Sequence, residues 1–333
     1  MDAPGRRDGT GAEYGCGNTE GARPRIGSGE DRRATDGRGE QVAEYVTGVG
    51  ALLGECPVWD GEAGVLWWLD IEGRNIRRYD PAGGAEQSWP MPDKPGSMAL
   101  CGDGRLLVAM RNGAGWLDPA DGSFVPWLDL EPGMAANRMN DGRCDPVGRF
   151  WVGSMHEQVV EGTFTGRLHR IDPDGSHTMV RDGVGVCNGL AFSPEGDRMY
   201  FADSMRSTVW RYRYDPDTGH AGDPEVFSDW SGLPGLPDGA AVDETGCYWS
   251  ACAFGWSLAR LTPGGEIDRL VELPVEIPTM PAFGGADLDT IYVTSIGPGG
   301  GFPTAPGQPQ AGGVFAVDAG VCGLVEPRFA AGG

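Results

Sequence analysis

Gly148-Arg149-Phe150-Trp151-Val152-Gly153 contains one of six short apolar segments that recur along the chain, each opening after a turn. The other five segments begin at Val65, Arg105, Arg198, Cys247 and Thr290. Successive segments start 40 to 49 residues apart, and a further strand-like stretch follows each of them. A period of about 40 to 50 residues with several short strands per unit is typical of β-propellers, whose blades bury their faces by closing into a ring. The spacing therefore predicts an all-β fold, a six-bladed β-propeller.

The composition of the chain limits its partners and divides it into two regions. Among 333 residues, 48 are acidic and 26 are basic, which gives a formal net charge of −22. This charge argues against nucleic acid and anionic membranes as main partners. The first forty residues contain no Leu, Val, Phe or Trp, so they cannot bury a core. We predict a disordered N-terminal tail over residues 1–40 and a propeller domain over residues 41–333.

Cysteine usage and the N-terminus predict a cytoplasmic location. The eight cysteines are spread singly, with no CxxC pair, and are expected to be free thiols. The N-terminus lacks the apolar stretch of a secretory signal, and no run approaches the roughly 18 apolar residues that span a bilayer. We therefore expect a protein without a membrane partner. The sequence does not indicate its oligomeric state.

Four polar residues occupy the same position in successive repeats. Glu55, Asn140, Asn188 and Asp238 each lie nine or ten residues before the next apolar segment. The first strand of each propeller blade lines the central channel, so residues at one phase of the repeat converge on the axis. Taken singly, an Asn-Gly or Asp-Gly step is usually a turn. The shared phase instead predicts that these side chains point into the channel.

Two carboxylates and two amides in a narrow channel need a cation or water to satisfy them. An all-oxygen set suits a hard divalent cation such as calcium, magnesium or manganese. The chain has four scattered histidines, which do not form a zinc cluster, and it lacks a GxSxG nucleophile motif. The sequence thus predicts a central metal-binding channel.

At these same residues the chain resembles the gluconolactonase and regucalcin family of sugar-lactone hydrolases, over roughly residues 46 to 325. The resemblance rests on six motifs in order. They are Leu53-Gly54-Glu55 with Pro57-Val58-Trp59, Arg138-Met139-Asn140-Asp141-Gly142 leading to Gly148–Gly153, Cys187-Asn188-Gly189-Leu190, Leu236-Pro237-Asp238-Gly239, Ala282-Phe283-Gly284-Gly285 and Ala311-Gly312-Gly313-Val314-Phe315.

The resemblance implies roles for particular residues. Glu55, Asn188 and Asp238 would bind one divalent cation, with calcium expected first and zinc, magnesium or manganese as alternatives. Arg138 and Asn140 would contact the substrate, and a substrate-contacting Glu of some members falls at Gln158. Asp238 would also be the candidate catalytic base, with the role of a metal ligand alone as the alternative.

Two departures from the family pattern concern the channel entrance and the first ligand. Cys56 stands where many members have glycine, and Phe254-Gly255-Trp256 adds bulk near the entrance. The Gly- and Pro-rich stretch from Gly297 to Gly307 would be a loop over the entrance or a flexible connector.

Together the motifs predict metal-dependent hydrolysis of a sugar lactone to the open aldonic acid, with a small-molecule lactone as the partner. One alternative is a calcium-dependent esterase or organophosphate hydrolase on the same propeller. Another is a non-enzymatic propeller that binds calcium or presents an interaction surface.

Overall fold

The computed structural model describes residues 43–47 and 50–331, which form 24 β-strands and one short 3₁₀ helix, Ser204–Arg206. The strands make six four-stranded sheets. This arrangement confirms the predicted all-β, six-bladed propeller. The predicted tail over residues 1–40 lies outside the described residues.

The innermost strand of each blade lies against its neighbours in a closed ring around the channel. In blade order these strands are β2 (Gly54–Asp60), β6 (Ser97–Leu100), β10 (Asn137–Cys144), β14 (Cys187–Phe192), β18 (Leu236–Val242) and β22 (Pro278–Gly284). The second strands are β3 (Val65–Asp70), β7 (Leu106–Ala109), β11 (Phe150–His156), β15 (Arg198–Asp203), β19 (Tyr248–Ala253) and β23 (Thr290–Ser295). The apolar segments recognised in the sequence are therefore the second strands.

The third and outer strands complete each blade. The third strands are β4 (Asn75–Asp80), β8 (Gly113–Asp118), β12 (Gly166–Ile171), β16 (Thr208–Asp215), β20 (Ser257–Leu261) and β24 (Val314–Asp318). The outer strands of the first five blades are β5 (Ala85–Pro90), β9 (Ser123–Asp129), β13 (His177–Val184), β17 (His220–Ser228) and β21 (Ile267–Glu272).

The sixth blade takes its outer strand from the beginning of the described chain. Strand β1 (Glu44–Thr47) pairs with β24 in antiparallel register, Tyr45 opposite Phe315. The two ends of the propeller domain therefore share one sheet, and the ring closes through main-chain hydrogen bonds.

The core lies between the blades, because the second strands are covered on both faces. Every residue of β3 is buried, and so are the first six residues of β11. Trp68, Trp151 and Trp249 are at most 1% exposed. Side chains of this size bury a large apolar area, so the apolar run in each repeat is what holds neighbouring blades together.

Aspartates that precede proline at the strand ends accept hydrogen bonds from the turn that follows. Asp80 Oδ1 accepts a hydrogen bond from the Ala82 N–H at 2.8 Å, and Asp118 Oδ1 accepts one from Ala120 at 2.9 Å. These carboxylates stabilise turns.

A C-terminal strap, residues 319–331, crosses the lower end of the channel, where the innermost strands end. The Gly323 N–H donates to the Leu288 carbonyl at 2.8 Å in the sixth blade, and the Phe329 N–H donates to the Leu100 carbonyl at 2.8 Å in the second. Because the strap bridges these blades, it covers the lower end of the channel. The opposite end, where the innermost strands begin, is the upper end.

Replacing Phe329 by Ala should lower the free energy of unfolding by about 3 to 5 kcal/mol, the usual loss for a buried phenylalanine. Phe329 is 1% exposed, and its ring lies 5.9 Å from that of Trp116. Chemical denaturation measures the change. Val325→Ala is the control, because Val325 lies on the same strap and is 66% exposed. Equal free energies of unfolding for the two variants would show that the strap does not stabilise the propeller.

The cysteine prediction is wrong at one position. Six cysteines, at 56, 101, 144, 187, 247 and 252, are buried free thiols, but Cys322 is disulfide-bonded. Cys16 lies outside the described residues. In the part of the chain that the structure covers, no helix is long and apolar enough to span a bilayer.

Candidate metal and lactone site

Glu55, Asn140, Asn188 and Asp238 all lie near the upper ends of innermost strands, as their shared phase predicts. At each of them the register with the second strand shifts, for example between Asn188 and Ala191. Such a β-bulge inserts an unpaired residue and re-aims the side chains beside it. The bulges thus turn four polar side chains toward the same end of the channel.

The residue after two of these positions has left-handed backbone. Gly189 has a φ of +62°, and a Cβ atom there would lie 2.3 Å from the Tyr248 hydroxyl oxygen. Cys56 has a φ of +47°, which explains why glycine suits this position, and its Sγ accepts a hydrogen bond from the Met98 N–H at 3.3 Å. The departure at Cys56 therefore retains the local conformation and ties the first blade to the second.

A chain of hydrogen bonds fixes the amides. Arg138 Nη1 donates to Asn140 Oδ1 at 2.6 Å, and Asn140 Nδ2 donates to Asn188 Oδ1 at 2.9 Å. Asn188 Nδ2 donates to the Ser204 hydroxyl at 2.8 Å, which donates to the Pro237 carbonyl at 2.6 Å. These contacts connect three blades, so the structure brings Arg138, Asn140 and Asn188 together next to the strand that carries Asp238.

The two carboxylates of the site are buried without a cationic partner. Glu55 accepts a hydrogen bond from the Cys56 N–H, and Asp238 accepts one from the Gly239 N–H, each at 3.1 Å. Within the described ranges neither carboxylate forms a salt bridge with Lys or Arg, and Arg138 acts on both at longer range. Burial raises the pKa of Glu55 well above its usual range, and the negative charges of Asp238 and Asp141 raise it further. Burial and Asp141 likewise raise the pKa of Asp238.

The donor set fits a hard divalent cation. Unpaired buried carboxylates are costly, and a cation between them removes that cost. The described residues contain no group of three His, Cys, Asp or Glu side chains placed to hold a metal. A site here must therefore include amide oxygen, and Asn188 Oδ1 accepts one hydrogen bond and has a second lone pair.

Asp141 is a third buried carboxylate, which the phase argument did not single out. Its Oδ2 accepts a hydrogen bond from the Leu190 N–H at 2.9 Å, while its buried Oδ1 has no partner among the described residues. Burial raises the pKa of Asp141 to about 6. By holding Leu190, Asp141 fixes the bulge that presents Asn188.

The Asp141 carboxylate should make folding pH-dependent. Its pKa is raised on folding, so its contribution is most favourable below about pH 4 and is lost as the pH rises through about 6. Asp141→Asn keeps an acceptor for Leu190 and removes the charge. With chelator present, we expect the variant to be more stable than wild type by about 2 to 3 kcal/mol at pH 8, and equally stable near pH 3.5. A stability difference that stays constant over this pH range in denaturant unfolding would contradict the assignment.

A charged cluster, made by Glu72, Asp93, Lys94, Arg111 and Glu157, lies beside Arg138 on one side of the upper end. Lys94 Nζ lies 2.7 Å from Glu72 and 2.9 Å from Glu157, and Arg111 contacts both Glu157 and Asp93. Hydrogen bonds from Arg111, and then from Lys94, lower the pKa of Glu157 to about 2. The ion pairs join these side chains into one polar rim, whose charges act on Arg138.

Gln158, the expected substrate contact, follows this cluster immediately. Its side chain is exposed, and its backbone carbonyl lies 2.8 Å from His156 Nδ1. The structure places Gln158 at the upper end, but Glu157 is the residue engaged with the cluster. The substrate role of Gln158 stays a prediction.

Sequence reasoning missed Ser204, Asp141 and the charged cluster. Ser204 and the cluster carry no repeat-phase signal, because they come from loops of different length in different blades. Asp141 belongs to the quoted Asn-Asp-Gly motif, but the shared repeat phase selected only Asn140 in that strand.

Comparisons with known proteins identify the family of this chain. Residues 53–297 match the family described as SMP-30/Gluconolactonase/LRE-like region. A 6-deoxy-6-sulfogluconolactonase from Pseudomonas putida is 39% identical and aligns over 84% of this chain and 96% of its own length. A pentonolactonase from Haloferax volcanii is 36% identical over 83% of this chain and 94% of its own.

A solved structure gives the same result for the fold. A calcium-binding protein, regucalcin, from Agrobacterium tumefaciens superposes with a TM-score of 0.81 at 29% identity, covering 87% of this chain and 98% of that one. The family match spans well over half of the chain, and its residues include Glu55, Asn188 and Asp238. The chain therefore belongs to the SMP-30/gluconolactonase/LRE-like family.

Proposed function

We propose that this chain hydrolyses a five- or six-membered sugar lactone to the aldonic acid with the help of one divalent cation. The observation that carries the proposal is the pair of buried carboxylates, Glu55 and Asp238, which form no salt bridge with Lys or Arg among the described residues and interact through their charges, while Asn188 lies on the strand next to that of Asp238. The names of the relatives, a sulfogluconolactonase and a pentonolactonase, support aldonolactones as the substrate class.

The cation would be held by Glu55, Asn188 and Asp238, with calcium as the first candidate and zinc, magnesium or manganese as alternatives. When bound, it would polarise the lactone carbonyl and favour negative charge on its oxygen.

The protein's own groups would orient the substrate and move the proton. Arg138 presents a planar fork of donors to the carbonyl and adjacent hydroxyls, while its bond to Asn140 fixes its direction. Asp238 accepts a proton from the attacking water as the new C–O bond forms. That proton passes to the ring oxygen when the ring C–O bond breaks, and the acid product then ionises.

The test is a lactone hydrolysis assay combined with metal removal. Wild-type protein should release acid from D-glucono-1,5-lactone, lose this activity in EDTA and regain it with a divalent cation. Turnover of phenyl acetate or a phosphotriester without turnover of aldonolactones would support an esterase or organophosphate hydrolase. Cation binding without hydrolysis of any of these would support a non-enzymatic propeller.

A further inference from the structure

Two aromatic rings stand on the side of the upper end opposite the charged cluster. Phe254 lies in the turn between β19 and β20, directly after Ala253, which pairs with Leu236 two residues before Asp238. Phe302 lies in the long loop between β23 and β24. The two ring centroids are 5.9 Å apart in an edge-to-face arrangement. The rings therefore form one aromatic wall, Phe254 and Phe302, near the strand that carries Asp238.

The turn that carries Phe254 is strained. Phe254 has a φ of +65° and Trp256 a φ of +55°, a region that L side chains rarely adopt. The turn is held by hydrogen bonds from the Gly255 N–H to the Cys252 carbonyl at 2.8 Å and from the Leu273 N–H to the Trp256 carbonyl at 2.7 Å. Phe254 is nevertheless 38% exposed, so burial alone does not account for the conformation. Strained positions of this kind cluster at ligand sites.

The loop that carries Phe302 is tied to the segment before β22. Glu276 accepts a hydrogen bond from the Ala305 N–H, and the Glu276 N–H donates to Gln308 Oε1 at 2.5 Å. Phe302 itself packs against a buried apolar cluster of the propeller. Its ring therefore contacts the core as well as Phe254.

The upper end consequently has two chemically different sides. The charged cluster and Arg138 offer hydrogen-bonding groups, and the aromatic wall offers flat apolar surface. A sugar lactone has the same two-sided character, with hydroxyls along its edges and an apolar C–H face. Binding sites commonly combine aromatic lining with a few polar groups that fix orientation.

We propose that Phe254 and Phe302 are specificity-determining residues that pack against the C–H face of the lactone ring while its hydroxyls face Arg138 and the charged cluster. This inference rests on the proposed function for its ligand class. It assigns the wall to substrate binding and not to the chemical step.

The test compares Phe302→Leu with Phe302→Tyr, since leucine keeps apolar bulk and tyrosine keeps the flat ring. With D-glucono-1,5-lactone, Phe302→Leu should raise KM about 3- to 10-fold, the scale of one aromatic contact, with little change in kcat. Phe302→Tyr should retain the wild-type KM. Phe124→Leu is the control, because Phe124 is also half-buried but lies on the outer strand β9.

Binding of D-glucono-1,5-lactam, measured by calorimetry, separates this inference from the proposed function. The lactam keeps the ring and hydroxyls but resists hydrolysis, and its Kd should follow the same order among the variants. If wild-type protein binds the lactam, Phe302→Leu weakens that binding, and no lactone is hydrolysed, then the proposed function is wrong and the role of the aromatic wall in binding is retained. If Phe302→Leu binds and hydrolyses like wild type, if Phe302→Tyr loses as much as Phe302→Leu, or if wild type does not bind the lactam, the inference is overturned.

Discussion

Asp238→Asn should lower kcat for lactone hydrolysis by about 100- to 10,000-fold, and excess divalent cation should not restore it. Asparagine keeps a coordinating oxygen in place of the carboxylate but loses the negative charge and the ability to accept a proton. The cation should therefore bind more weakly, and the chemical step should be slower. Calorimetric titration of the cation, together with kcat at saturating cation, measures the two effects separately.

Glu55→Gln is the matched comparison, because Glu55 is the other buried carboxylate proposed to bind the cation. If Glu55 serves the cation alone, its variant should bind the cation more weakly but recover most of kcat at saturation. Full recovery of kcat in Asp238→Asn as well would leave Asp238 as a ligand only. Unchanged cation affinity in Asp238→Asn would remove it from the metal site altogether.

Much of the fold follows from the periodic part of the sequence. The apolar segments are the second strands, which neighbouring blades cover on both faces. In Phe150–His156, for example, the first six residues are all buried. The strand positions of the polar residues follow for a related reason. In a closed ring, residues at the same position of each repeat lie at the same height along the channel, so Glu55, Asn188 and Asp238 are expected near one end of it, and the structure places each near the start of an innermost strand.

Features without a periodic signal could not be predicted. Closure of the sixth blade by Glu44–Thr47 depends on a four-residue strand that carries few apolar residues. The strap across the lower end is not part of the repeat. It is attached to the blades through single buried residues such as Phe329. The disulfide at Cys322 has no local sequence signature either, because a lone cysteine does not reveal its pairing.

The bulges explain why Asp141 was missed. Strict alternation along a strand sends adjacent residues to opposite faces, so Asn140 and Asp141 should not both serve the channel side. The register shift between Met139 and Gly142 suspends that alternation. As a result Asn140 reaches Asn188 while Asp141 reaches the backbone of Leu190, and both act on the same strand of the next blade.

Arg138→Lys should lower kcat/KM by about 10- to 100-fold, mainly through KM, and leave cation affinity unchanged. Lysine keeps the positive charge but lacks the planar fork of the guanidinium, in which Nη1 alone donates to Asn140 at 2.6 Å and to the Met139 carbonyl at 3.0 Å. The directed donors meant for the substrate are lost with it. Arg213→Lys, an exposed arginine on β16, is the control and should behave as wild type. Loss of cation binding in Arg138→Lys would show that the arginine and the two carboxylates act as one unit, since Asn140 connects Arg138 to Asn188, and the division into substrate and metal residues would then be wrong.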